Sequence, residues 1–225
     1  MPKQEPSLLL ALPDPCLLTV LQFCAADDQR SLFSAARTHS RLHQAAATAL
    51  DNLTAVLPQQ QKAKSVLRYL GTHAKHISNI NLKGTEDYSV RLRELPSGLQ
   101  LKSLQLEWFH LQLHPATAHP RYSMLGLQLR PAKFFQGVLG DHSQLAALKQ
   151  LRLKDCDILL DCENSEAVLF GPGGLAALSV LTGLEHLSIS RIFYREGTKA
   201  AFPTGMLPRL QRLTYLELSD VDLRG

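Results

Sequence analysis

Several features on which functional assignments commonly rest are scarce in this sequence. Aromatic residues make up 6% of its 225 residues, with a single tryptophan, so no platform for stacking nucleic-acid bases is expected. The net charge is only +4, too small to predict a nucleic-acid-binding protein. No apolar run approaches the ~20 residues of a membrane helix. We therefore expect neither a nucleic acid nor a membrane among the partners.

Cysteine is also scarce, and a chain of this length does not need disulfides for stability. The cysteines are Cys16, Cys24, Cys156 and Cys162. The N-terminal apolar segment 8–12 ends at Pro13-Asp14-Pro15, which is too short for a secretory signal. These observations predict free thiols in a reduced compartment. We expect a cytoplasmic protein, with the nucleus and the cytoskeleton as alternatives.

No recognisable catalytic or cofactor motif is present. The sequence contains no G-x-S-x-G, phosphate-loop or dinucleotide-binding pattern. His39 and His43 have metal-compatible spacing, but no Glu or Cys accompanies them as in a metalloprotease helix. Cys156 and Cys162 are better explained by a repeat pattern and an acidic loop than by a zinc site. We expect no enzyme, no cofactor and no metal.

An internal repeat is the strongest positive signal. The template L-x-x-L-x-L-x-x-N/C-x-L is matched at every position from Leu148 to Ile158, with Cys156 at the N/C position. The units that begin at Leu101 and Leu213 differ from it only at that position, where Phe109 and Val221 stand. Further units begin at Leu184 and, more weakly, at Ile77. The alternating leucines predict short strands that bury one face by stacking on neighbouring units.

The fold class predicted by these repeats is α/β, with a short N-terminal helical module followed by a leucine-rich-repeat solenoid. Such a solenoid is a curved sheet of short parallel strands with helical connectors. About five units are expected over 77–225, and alternation in Met124–Leu129 suggests a degenerate unit in the widest gap. The last unit matches the template well, so we expect the array to continue in a longer chain or to pair end to end.

The first 76 residues have a different, helical pattern. Residues 1–7 are expected to be a disordered tail and residues 8–50 a helical module. One helix should follow Pro13-Asp14-Pro15, and a second should follow Asp27-Asp28. A third should cover about Ser40 to Leu53. Residues 51–76 are expected to form a helical linker or N-terminal cap.

The helical module resembles an F-box. Leu12-Pro13 followed by apolar residues at helical spacing is typical of its start, and Leu32–Ala36 and Thr38–Leu42 are similar to its later helices. With this helical module followed by repeats, the chain resembles members of the F-box/leucine-rich-repeat family. Members of that family are substrate receptors of cullin-type ubiquitin ligases. The resemblance implies that the module binds a Skp-type adaptor, and through it a cullin, while the repeats bind a protein target. The implied adaptor-binding residues are Leu12, Pro13, Leu17, Leu18, Leu21 and Phe23.

A second interpretation is a leucine-rich-repeat scaffold or cytoskeleton-associated protein whose N-terminal helices only cap the solenoid. In that case Leu12, Leu17, Leu18 and Leu21 all pack against the rest of the chain. In both interpretations the target would bind the concave face of the sheet, where Trp and Arg are the usual interface anchors. The expected target-binding residues are Gln105, Glu107, Trp108, Arg152, Lys154, Arg191, Tyr215 and Glu217.

Overall fold

The computed structural model describes most of the helical N-terminal part of the chain and the strands of the predicted repeats. The described residues are 8–27, 29–86, 90–92, 95–96, 98–113, 147–160, 178, 181–194 and 201–224. The expected tail 1–7, the degenerate unit at Met124–Leu129 and Cys162 lie outside the described residues.

The N-terminal part is helical, as the sequence predicts. Its helices and the one that follows are α1 (Leu8–Ala11), α2 (Asp14–Asp27), α3 (Gln29–Ala36), α4 (Ser40–Ala49) and α5 (Gln60–His73). Asp14 lies in the first turn of α2, where a carboxylate is favoured by the helix dipole. The His39 side chain accepts a hydrogen bond from the backbone N–H of Arg41 and so caps α4. None of the helices in the described part of the chain is both long and apolar enough to cross a bilayer.

The strands follow α4, and α5 lies between the first and the second of them. They are β1 (Asn52–Val56), β2 (Asn79–Lys83), β3 (Val90–Leu92), β4 (Ser103–Glu107), β5 (Phe109–Leu113), β6 (Gln150–Leu160), β7 (His186–Tyr194), β8 (Ala201–Pro203), β9 (Tyr215–Ser219) and β10 (Asp222–Arg224). Parallel pairing joins β1, β2, β4, β6, β7 and β9 in that order. The five strands expected from the repeat template are therefore all present, and they are neighbours in one sheet.

One boundary prediction was wrong. The helix expected to reach Leu53 ends at Ala49, and the supposedly helical segment 51–76 begins with β1. Leu53 and Leu57 are buried with half-buried Ala55 between them, which is the inward alternation of a strand. The alanine weakened the repeat signal, but β1 gains all its ladder bonds from β2, and this pairing outweighs the helix propensity of the preceding alanine-rich segment.

All units stack in the same register. Ile80 of β2 aligns with Leu104 of β4, which aligns with Leu151 of β6 and then Leu187 of β7. Each of these four side chains is at most 1% exposed. A backbone hydrogen-bond pattern just before the strands is also repeated from unit to unit. In each case one carbonyl oxygen accepts hydrogen bonds from two successive N–H groups of the next unit. The accepting residues are Asp51, Ser78, Lys102, Lys149 and Glu185.

Four of the five predicted units also bend at an equivalent point. Trp108, Asp155, Arg191 and Asp220 have φ between 51° and 61°, and each lies two residues after the second inward residue of its strand. Beyond the bend, β3, β5 and the second half of β6 form another parallel row that the template did not predict. Left-handed φ is costly for a tryptophan or an arginine, so the surrounding packing must impose it.

The result is an α/β fold with a curled parallel sheet. A single hydrophobic cluster runs from Leu17 and Leu21 of α2 through the inward residues of the strands to Leu210. The helical module and the sheet therefore share one core. The expectation of an α/β chain with parallel strands is confirmed at this level.

Candidate binding surfaces

The side chains that alternate with the buried strand residues form a polar surface, here called the open face. It follows from strand geometry, because successive side chains point to opposite sides of the sheet. Its members on the five strands β2, β4, β6, β7 and β9 are Asn79, Asn81, Lys83, Ser103, Gln105, Glu107, Gln150, Arg152, Lys154, His186, Ser188, Ser190, Tyr215, Glu217 and Ser219.

Six of the eight predicted target-binding residues lie on the open face. They are Gln105, Glu107, Arg152, Lys154, Tyr215 and Glu217. The other two, Trp108 and Arg191, lie at the bends that follow β4 and interrupt β7. The structure thus brings the predicted set together along one side of the sheet, with Trp108 and Arg191 at its border.

A cluster of three charged residues, Lys83, Glu107 and Lys154, crosses the centre of the open face. Glu107 Oε1 lies 3.2 Å from Lys83 Nζ and 3.1 Å from Lys154 Nζ, on the two strands that flank β4. Burial by itself raises the pKa of the Glu107 carboxyl, but the hydrogen bonds and charges of Lys154 and Lys83 lower it by more, so this pKa lies below its usual value. Both lysine charges are therefore partly neutralised within the protein.

The bend residues form a second charged group. Arg191 Nε lies 2.5 Å from Asp155 Oδ1, and Arg191 Nη2 donates to Asp155 Oδ2 at 2.8 Å. The Asp155 side chain is 4% exposed, whereas that of Arg191 is 46% exposed. The guanidinium carbon of Arg191 also lies 5.9 Å from the centroid of the Trp108 ring, within cation–π range. Asp155 thereby positions Arg191 over Trp108.

The far edge of the open face carries aromatic and acidic groups. The rings of His186 and Tyr215 stack with centroids 5.8 Å apart. Ser188 donates a hydrogen bond of 2.7 Å to Glu217 Oε2, and the Tyr215 hydroxyl lies 3.4 Å from the same atom. Two neutral hydroxyl groups therefore hold the Glu217 carboxylate at this edge.

Arg152 differs from the other cations on these strands. It is exposed on β6, between Gln105 of β4 and Ser188 of β7 in the pairing register. Lys83 and Lys154 share Glu107, and Arg191 is paired with Asp155. Arg152 has no carboxylate within ion-pair distance in the described part of the chain.

The helical module has a separate, apolar surface. Leu8 is 87% exposed and Phe23 is 74% exposed, and Val20 of α2 is 39% exposed. Cys16, Val20 and Phe23 follow one another at i, i+4 and i+7, so they form one exposed stripe along α2. We call these three residues the α2 stripe. Val20 was not among the residues predicted from the sequence, although its spacing from Cys16 and Phe23 could have indicated it.

The predicted adaptor-binding residues fall into different environments. Pro13 and Phe23 are exposed, and Leu12 and Leu18 are half-buried. Leu17 is 0% and Leu21 is 1% exposed. Both belong to the shared core, so they cannot contact a partner in this fold, and their assignment to the adaptor surface is corrected. A helix presents only one side to its core, and leucine spacing alone does not say which.

Arg41 of α4 holds in place the backbone that joins α1 to α2, next to this apolar surface. Its Nη1 donates to the Leu10 carbonyl at 2.5 Å and its Nη2 to the Leu12 carbonyl at 2.7 Å. Nη2 also lies 2.6 Å from Asp14 Oδ1. These contacts tie the link between α1 and α2 to α4, so Leu8 and the α2 stripe are presented on a supported backbone.

Among the described residues, no three His, Cys, Asp or Glu side chains are grouped so that they could hold a metal ion. Comparison of the chain with protein-family models, curated protein sequences and solved structures gives no match. The resemblance to the F-box/leucine-rich-repeat family therefore remains a prediction from the helical module and the repeat units.

Proposed function

We propose that this chain is a protein-interaction subunit of the F-box/leucine-rich-repeat type. Its helical module would bind a Skp-type adaptor of a cullin ubiquitin ligase, and its sheet would be a leucine-rich-repeat solenoid that binds a protein target. The chain itself would carry out no catalytic step and need no cofactor. Such a complex would act in the cytoplasm or the nucleus.

The observation that carries the adaptor part of the proposal is the α2 stripe. Phe23 is a large aromatic side chain that is 74% exposed on a helix that also carries the fully buried Leu17 and Leu21. Exposed apolar groups that are contiguous on a supported element commonly mark partner surfaces. The repeated register and the polar open face support the target-binding part, since repeat proteins bind partners on such extended surfaces.

A second candidate is a repeat scaffold in which the helices only cap the sheet. The contacts that this role requires are present, since Leu17 and Leu21 lie in the shared core, and Leu12 and Leu18 pack against it. Capping and adaptor binding use different sides of α2, so the contacts of the four leucines do not discriminate between the two functions. The α2 stripe does discriminate between the two functions, because a helix that only caps the sheet does not require an exposed Phe23.

Titration of the full chain with a purified Skp-type adaptor tests the proposal. We expect a Kd of about 1 µM or tighter, a common range for specific complexes. Phe23→Asp should abolish binding, because a carboxylate would be desolvated at the interface. Val56→Asp is the matched control, since Val56 is an apolar residue of β1 that is 52% exposed and lies outside the helical module.

Two results would contradict the adaptor role. One is the absence of binding by the wild-type chain at tens of micromolar, and the other is unchanged binding by a folded Phe23→Asp variant. Either result would favour the scaffold. Loss of binding in both variants would show that the interaction is not specific to the α2 stripe, and this too would count against the proposal.

A further inference from the structure

Arg152, which has no ion-pair partner among the described residues, lies in a row of hydrogen-bonding side chains that crosses the sheet. In the strand register Asn81, Gln105 and Arg152 are adjacent on β2, β4 and β6, and the row ends on β7 at Ser188, which is buried and bonded to Glu217. With neighbouring strands about 4.8 Å apart, this row is about 14 Å long. It therefore matches about four residues of an extended peptide laid across the strands.

We infer that this row binds an extended peptide segment of a partner protein that places one aspartate or glutamate carboxylate on Arg152. The guanidinium group can bind a carboxylate through two parallel hydrogen bonds. Asn81 and Gln105 on one side can donate to and accept from the peptide backbone. This deepens the proposed target-binding role of the open face and does not depend on the adaptor.

Arg152 is singled out because the other cations of these strands already have partners. Lys83 and Lys154 lie within 3.2 Å of Glu107, and Arg191 binds Asp155. An incoming carboxylate would have to compete with those carboxylates, which are part of the fold. At Arg152 it would break no ion pair of the described part of the chain.

A carboxylate near Arg152 restricts how much negative charge the ligand can carry. Glu217 lies two strands away in the same row, at about 10 Å, and is held by two hydroxyl groups. It would repel a second negative charge placed towards β9, at a distance comparable to the Debye length. Glu107, on the adjacent strand, adds no such repulsion because Lys83 and Lys154 neutralise it. A ligand with a run of negative charges, such as a nucleic acid or polyglutamate, would therefore meet more repulsion than a peptide with one acid.

Fluorescence anisotropy with labelled peptide pools tests the inference. The pools contain peptides of about nine residues, long enough to cross the six strands. They have Glu, Gln or Lys fixed at the centre and neutral residues elsewhere. We expect the full chain to bind the Glu pool roughly tenfold more tightly than the Gln pool, and the Lys pool least.

The variant Arg152→Gln should lose the preference for Glu over Gln. Lys62→Gln, which removes an exposed cation from α5, outside the open face, should retain it. Thermal unfolding of both variants checks that the fold is intact. Since Arg152 is exposed and unpaired in the described part of the chain, neither substitution should lower the melting temperature measurably.

Equal binding of the Glu and Gln pools, no binding of any pool, or an unchanged preference in folded Arg152→Gln would overturn the inference. So would tighter binding of single-stranded DNA or a polyglutamate peptide than of the Glu pool, because this would indicate a general polyanion site. Adaptor binding is measured on the same proteins. A chain that binds the Glu pool but no adaptor would refute the ligase role alone, and the reverse result would refute the Arg152 site alone.

Discussion

The backbone carbonyl oxygen of Trp108 occupies the space that a Cβ atom on Gly84 would need. The obstacle is backbone, which cannot rotate away as the end of a side chain can. Gly84 N–H also donates to the Glu107 carbonyl at 2.7 Å, so the two segments are held together at this point. A glycine is required here because of the close approach of the two segments.

We predict that Gly84→Ala lowers the free energy of unfolding by about 1–3 kcal/mol, the usual cost of forced overpacking. Gly71→Ala is the control. Gly71 lies in α5, and a Cβ atom there would lie at an ordinary contact distance of 3.6 Å from Pro96. It should be neutral or stabilising by up to about 1 kcal/mol. Urea unfolding measures both, and equal midpoints for Gly84→Ala and wild type would contradict the close approach.

Cys156 should be inert in the folded protein. It is 0% exposed, and burial raises the pKa of its thiol to about 12. Its Sγ lies 3.2 Å from the Lys154 carbonyl and 3.6 Å from the Leu106 carbonyl. The thiol can therefore donate a weak hydrogen bond to one of these carbonyl groups. Because the space around Cys156 is small, Cys156→Leu should be more damaging than Cys156→Asn.

The measurement is thiol labelling of a variant in which Cys16, Cys24 and Cys162 are replaced by Ser. At pH 8 the remaining Cys156 should react very slowly until urea unfolds the chain, because only the thiolate is nucleophilic. Rapid labelling under native conditions would show that the repeat register around Cys156 is wrong. A variant that keeps the exposed Cys16 instead serves as the fast-reacting control.

The two sides of α2 should respond oppositely to truncation. Leu17→Ala removes a fully buried side chain and should cost about 2–5 kcal/mol of stability. Phe23→Ala removes an exposed one and should change stability by less than about 0.5 kcal/mol while weakening adaptor binding. Chemical denaturation of both variants is the measurement, and similar losses of stability would mean that Phe23 is packed in solution.

Acid should loosen the contact between the helical module and α5. The rings of Tyr69 and His73 lie 4.4 Å apart, and His43 of α4 lies 5.6 Å from His73. Burial lowers the pKa of His73 below its ordinary 6.5, and His43 and His76 lower it further. The unfolded chain therefore binds more protons, so the stability contributed by neutral His73 is present above about pH 6.5 and lost as the pH falls below it.

We expect the melting temperature to fall between pH 7.5 and pH 5.5, and His43→Gln to reduce this fall by removing one of the repelling charges. Differential scanning calorimetry at the two pH values is the measurement. Lys64→Gln on α5 is a control for a general charge effect and should leave the pH dependence as in wild type. An identical pH dependence in wild type and His43→Gln would refute the coupling between the two histidines.

The parts of the fold that the sequence predicted are those set by short periodicities. A leucine at every second position can bury only one side of a strand, and the same pattern in successive units allows only a parallel stack with one register. Leu104, Leu151 and Leu187 were predicted on this basis and are aligned in the structure. The burial of Cys156 followed from the same register. Strand β1 was missed because Ala55 stands where the template has leucine.

Other features depend on the tertiary structure because they involve residues far apart in the sequence. Which side of α2 faces the core depends on where α4 and the sheet lie, so leucine spacing could not separate buried Leu17 from exposed Phe23. The left-handed bends at Trp108 and Arg191 oppose local preference and are imposed by neighbouring units. Which cation stays unpaired is decided in the same way: Glu107 lies between Lys83 and Lys154, 24 and 47 residues away in the chain. The sequence alone thus determined the repeating strands and their polar face, whereas the pairing of charges across strands left Arg152 as the strand cation without an ion-pair partner among the residues that the structure describes.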